Sequence, residues 1–181
     1  MHRARAGGTF CTMRGRLDRL VLENAAYLDQ LHAFVRDTAV DAYREARPPF
    51  ARGGIGKHVR HVLEFYHILL CAQDRIVDYD TRCREAEIET DPRKAAERAI
   101  ELKQMLHDLH DRANETLTVV SADEHGTLRV ASTLERELVF LASHTVHHMA
   151  IIRMIGELLG RAVADRFGVA PSTLRHEARA G

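Results

Sequence analysis

The sequence predicts an all-α protein, a four-helix bundle with a short β-hairpin between its third and fourth helices. Three observations carry this. Apolar residues recur at three- and four-residue steps along four stretches of roughly 22–30 residues. Helix stops and starts separate the stretches: Pro48-Pro49, Gly53-Gly54, Asp91-Pro92 and Gly160. One short β-prone interval lies between the third and fourth stretches. A length of 181 residues suits one domain.

Residues 1–16 are rich in arginine, lack acids and read as a disordered tail. No apolar run follows them, so they are not a secretory signal. The bundle is expected over residues 17–175, with a second tail at 176–181. Leu17, Leu20, Val21, Leu28, Leu31 and Val35 form the stripe of a first helix. It is expected to end near Arg47, because the residue before a proline is pushed out of the α region. A second helix runs from Ile55 to about Val77. The stretch from Asp78 to Thr90 is polar and irregular. Asp91 and Pro92 then read as an N-cap and a first-turn proline, opening a third helix that reaches about Leu117. Thr116–Val120 and Thr127–Val130 read as the hairpin strands. The fourth helix starts at a cap, Ser132 or Thr133, and runs to Leu159, where Gly160 stops it. The segment from Arg161, with Phe167, Gly168 and Pro171, is expected to pack across the bundle end. Connections of intermediate length leave the order of helices around the bundle open.

Composition narrows the function. Twenty-six basic residues balance 26 acidic ones. A dedicated nucleic-acid binder would carry a basic excess, so no nucleic-acid partner is expected. The apolar stretches read as too short to span a bilayer, and no membrane association is expected. Cys11, Cys71 and Cys83 form no CxxC pair and fit neither a zinc ribbon nor a disulfide framework. A reducing cytoplasm is the expected setting.

Twelve histidines stand out. On a helical projection, with about 100° per residue, His144 and His148 fall on the apolar face of the fourth helix, one turn apart. His147 falls at the edge of that face. On the second helix His58 and His61 both project inward, whereas His67 falls opposite the core beside Arg60 and Asp74. Burying several imidazoles is costly unless each finds a partner, and a shared metal ion is one such partner. A three-histidine set, one from the second helix and two from the fourth, would leave coordination positions open, the mark of a catalytic site. The projection does not choose between His58 and His61. Glu137 projects between the two fourth-helix histidines, two turns earlier, where it reads as a supporting partner or a general base, or equally as one side of a salt bridge with an arginine such as Arg136 of a neighbour or with another helix. Glu64-x-x-His67 is half of a di-iron carboxylate motif, but no second ExxH exists. No P-loop, GxSxG or dinucleotide fingerprint occurs.

These residues resemble a known family. The run from Gly54 through Ile55, Gly56, Lys57 and His58 to His61 resembles the "SIGxHxxH" opening of the second helix in the DinB/YfiT-like metalloenzymes. Arg136 to His144 and on to His148 resembles their "HxxxH" fourth helix. Asp78–Arg84, Glu87–Glu89 and Phe167–Thr173 resemble segments of one branch of the group. Two departures are Gly54, where serine is usual, and the apolar Met149-Ala150 after His148.

The resemblance implies an up-down-down-up four-helix bundle and a divalent ion, zinc or nickel, held by His61, His144 and His148. His58 and His147 are the less favoured ligands. It also implies homodimers and, in some members, transfer of a low-molecular-weight thiol such as bacillithiol or mycothiol to an electrophilic small-molecule substrate. The alternatives are a metal-dependent hydrolase, with Glu137 as base, and a non-catalytic metal-binding or helical interaction protein. Arg82 and Arg84 read either as anion-holding arginines or as loop ion pairs with Asp78, Asp80 or Glu85.

Overall fold

The structure is a computed structural model that describes residues 8–46, 48, 50, 53–81, 83–109 and 115–180. It is mostly helical, but not all-α: a three-stranded sheet is present. Four long helices, α1 (Gly8–Arg36), α3 (Ile55–Leu70), α5 (Pro92–His107) and α6 (Leu134–Leu158), pack in a ring. Helix α1 lies against α5 and α6, and α3 lies against the same two. Leu28, Leu31, Val59, Val62, Leu102, Leu138, Leu141 and Ile152 are fully buried between them.

Helix α1 begins at Gly8, inside the stretch expected to be a tail, and stops well before Arg47. Thr38 accounts for the stop. Its backbone N–H donates to Val35 O at 3.0 Å and its hydroxyl donates to Phe34 O at 2.6 Å, so two last-turn carbonyls are satisfied in a tight turn. A short helix α2 (Val40–Arg44) follows, and its buried Tyr43 donates to the Ile88 carbonyl at 2.7 Å. Arg47 and Pro49 lie outside the described residues.

Helix α3 ends at Leu70 rather than near Val77. Asp74 and Arg75 take left-handed conformations, φ 51° and 59°, and turn the chain into strand β1 (Ile76–Asp78). Val77 is fully buried there as a strand residue, not as part of a helical stripe. Helix α4 (Ala86–Thr90) then packs against the first turn of α3, burying Ile88. Gly56 permits that approach: a Cβ there would collide with the Glu89 carbonyl and the Tyr43 ring.

Asp91 caps α5 as expected, accepting from Arg93 N–H at 2.9 Å beside Pro92. The helix ends at His107, earlier than anticipated. Leu117, expected to be helical, is buried in strand β2 (Thr116–Asp123). Strand β3 (Gly126–Thr133) pairs antiparallel with β2, and β1 pairs with β2 in parallel. The hairpin is therefore present, longer than anticipated and extended to three strands. Thr133 ends β3 and caps α6, accepting from Arg136 N–H at 3.2 Å.

At the C-terminal end Gly160 leaves the helix at φ 72°. Phe167 packs on Phe34 with centroids 4.8 Å apart and the rings tilted by 31°, and Gly168 N–H donates to Gln30 Oε1 at 3.0 Å. Helix α7 (Pro171–Ala180) runs through most of the expected tail. By length and composition α6 is apolar enough to cross a membrane, contrary to expectation. Here that apolarity serves the core: Leu138, Leu141, Met149 and Ile152 are fully buried.

Candidate metal centre

The seam between α3 and α6 brings the inward histidines together. One ring nitrogen each from His61, His144 and His148 lies within 4.8 Å of the other two. Ligands of a tetrahedral zinc ion sit about 3.3 Å apart, given metal–nitrogen distances near 2.0–2.1 Å. Small side-chain rotations would close the set on one ion, so the residues fit the divalent metal that the resemblance implies. All three are half-buried.

His58 joins the cluster differently. Its Nδ1 lies 3.0 Å from Nδ1 of His148, so one ring donates and the other accepts, and the second nitrogen of His148 is left for another partner. His147 is exposed and meets His148 edge-on at 5.1 Å. His67 lies apart from the cluster, 3.5 Å from the Cys71 sulfur. His110 lies outside the described residues.

Burial pushes the His148 pKa down to about 3, reinforced by His144, His61, His58 and His147. Burial, then Lys57 and His147, also lowers that of His58. Both rings are therefore neutral at pH 7, the protonation state a metal ligand needs.

An aromatic wall backs the histidines. Phe65 stacks on His144 at 4.3 Å and on Tyr79 at 4.9 Å, and Phe140 lies 5.6 Å from His144. Phe65 was legible as the residue one turn beyond His61. Nothing local marked Tyr79, which reaches the wall from the loop after β1.

Glu137 is fully buried, and its hydrogen-bond partners are other residues than the histidines. Its carboxylate accepts from the Tyr79 hydroxyl at 2.9 Å, from the Ser132 hydroxyl and from Arg136 at 2.9 Å. The general-base role expected of it is thus not supported by its geometry: it anchors Tyr79, and through Tyr79 the wall behind His144.

Arg60, expected on the outer face, is instead buried. Helix α4 covers that side of α3, and Arg60 donates to Glu64 and Glu89, each at 2.7 Å. A cavity of about 560 Å³ opens beside the cluster, lined by Lys57, His58, Arg60, His61, Arg84, Glu89 and His148. Arg84 is thus placed at the site, while Arg82 lies outside the described residues.

The departures from the family pattern acquire reasons. A Cβ at Gly54 would strike the Glu45 carbonyl, so serine cannot stand there without a backbone shift. Met149 is fully buried and in close contact with Gly168. It packs against the C-terminal segment at Gly168.

No protein-family model matches the chain, and no solved structure matches it. The chain is similar to FK506-binding protein 5 of Rhizopus delemar, 35% identical over 106 residues. That match covers 56% of this chain and 27% of the fungal protein, so the chain spans about a quarter of that relative's length.

Proposed function

We propose that the protein is a divalent-metal-dependent enzyme of the DinB/YfiT-like group, using His61, His144 and His148 as ligands. On this reading the ring of α1, α5, α3 and α6 is the group's up-down-down-up bundle, and the chain works as a cytoplasmic homodimer. The carrying observation is the convergence of three imidazole nitrogens within 4.8 Å at the edge of a cavity that two of the rings line. A site closed on all sides would serve structure; an open one admits a substrate.

A divalent ion there would act as a Lewis acid, lowering the pKa of a thiol or water that reaches an open position. The chain's own residues hold the centre. Phe65, Phe140 and Tyr79 fix the orientation of His144 and exclude water from one side. His58 fixes the ring of His148. Glu137, the possible base of the hydrolase reading, already accepts from three donors, and we take thiol transfer to an electrophile as the first reading and hydrolysis as the second. The name of the Rhizopus protein adds nothing to this reading, since most of that protein lies outside the match.

The test is elemental analysis of the untagged protein before and after chelation, followed by turnover of an electrophile with bacillithiol or mycothiol. About one ion per chain and thiol-dependent turnover that chelation abolishes are expected. A protein that neither carries nor takes up a divalent ion would overturn the reading.

A further inference from the structure

The cavity beside the histidines has a charge pattern that the metal alone does not explain. Its lining holds three cationic side chains, Lys57, Arg60 and Arg84, against one carboxylate, Glu89. Arg60 is accounted for: nearly buried, it is held between Glu64 and Glu89. Arg84 is different. It is exposed at the cavity and has no hydrogen-bond or ion-pair partner among the described residues.

Glu85, the acid next to it in the chain, is paired with Arg98 at 2.8 Å instead. The loop also holds Arg84 at φ 49°, a left-handed conformation that a non-glycine residue adopts only at a cost. A strained backbone therefore presents an unneutralised guanidinium to the same cavity as His58, His61 and His148.

Resting on the metal-centre reading, we infer that this cavity is a subsite for an oxyanion group of the substrate, a carboxylate or phosphate, with Arg84 as its binding residue. The guanidinium fork matches either group with two parallel hydrogen bonds. Lys57, on the same lining, adds favourable charge. The substrate class is then a small electrophile carrying an anionic group, which Arg84 orients toward the histidine cluster.

The experiment is calorimetric titration of the zinc-loaded full chain at low ionic strength with succinate, with inorganic phosphate and with neutral succinamide. The same titrations are run on R84Q and R84K, each checked for zinc content. Binding of at least one anion and none of succinamide is expected. R84Q should weaken it about tenfold or more, as expected for loss of a charge-assisted pair, and R84K should fall between, all at unchanged zinc content. Whichever anion binds separates a carboxylate subsite from a phosphate one. No anion binding by the zinc-loaded wild type, or equal affinity in R84Q, overturns the subsite; the second result would mean that the anion meets the metal alone. The metal reading fails separately. If the wild type takes up no zinc yet binds anion in an Arg84-dependent way, the subsite stands and the metal centre falls.

Discussion

Helix α6 carries two clusters of polar side chains two turns apart, and they are built in opposite ways. Around Glu137 every charge is answered: Tyr79, Ser132 and Arg136 donate to one fully buried carboxylate. Around His144 and His148 the rings converge on each other and on a cavity, with their basic nitrogens close together and no carboxylate among them. A third polar group, Asn24 with Tyr66 and Thr145, follows the first pattern. Asn24 donates to the Leu20 and Leu138 carbonyls and accepts from Tyr66, which accepts from Thr145. Burial alone therefore does not mark function in this protein. A buried polar group whose partners are all protein atoms stabilises the fold. The three imidazoles, facing one another beside open space, have the spacing that could hold a metal ion.

The sharpest way to break this contrast is to remove a ring from the open cluster. His144→Ala or His148→Ala should take zinc content from about one ion per chain to near none, measured by elemental analysis, whereas Glu137→Gln and His67→Ala should keep it. Full zinc content in His144→Ala would sink the ligand assignment. In the wild type, zinc at a thousandfold excess over its Kd should add about 4 kcal/mol of stability by mass action, read as a rise in Tm that the His144→Ala protein lacks.

The closed cluster should respond the other way. Glu137→Ala leaves the half-buried Tyr79 and Ser132 hydroxyls without their acceptor, and should cost about 1–3 kcal/mol in denaturant unfolding. Its zinc content should stay at that of the wild type. Loss of metal without loss of stability would show that Glu137 belongs to the centre after all.

A graded effect follows from His148, whose folded-state pKa is lowered to about 3. The unfolded chain takes up this proton near the ordinary pH of about 6.5, so between about 6.5 and 3 the unfolded state binds more protons than the folded one. Stability of the metal-free protein should fall as pH drops through that window and be insensitive to this group above it. His148→Ala should flatten the slope, and an unchanged slope would contradict the burial of that ring. Smallest of all is Arg136→Ala. Its side chain is 63% exposed, and exposed ion pairs contribute roughly 0–1 kcal/mol, so Tm should barely move. A large drop would mean that Glu137 depends on that charge rather than on its two hydroxyl donors.

Much of this was legible locally. The stripes of α1, α3, α5 and α6, the Asp91 and Thr133 caps and the stop at Gly160 depend on neighbours within a few residues, and helix physics reads them from spacing and side-chain chemistry. The inward aim of His58, His61, His144 and His148 follows from the same periodicity. Where local rules failed, a partner remote in sequence had intervened. Ile76 and Val77 continued a helical stripe, yet pairing with Thr118 and Val119 made them a strand. Arg60 lay opposite the core in projection until α4 covered it and brought Glu89 to it. Glu137 projected between the histidines but was claimed by Tyr79 from another element.

Which residues line up along one helix is a property of a 100° step, and the chain carries that information in consecutive letters. Which nitrogens meet across two helices is not. His61 joins His144 and His148 while His58 bonds to His148 because α3 and α6 pack in one register, and that register is set by fully buried side chains distributed over the whole core. The charge left open at Arg84 is of the same kind. Glu85, its neighbour in the chain, pairs with Arg98 from α5 in the folded molecule, and no spacing along the chain could have told that.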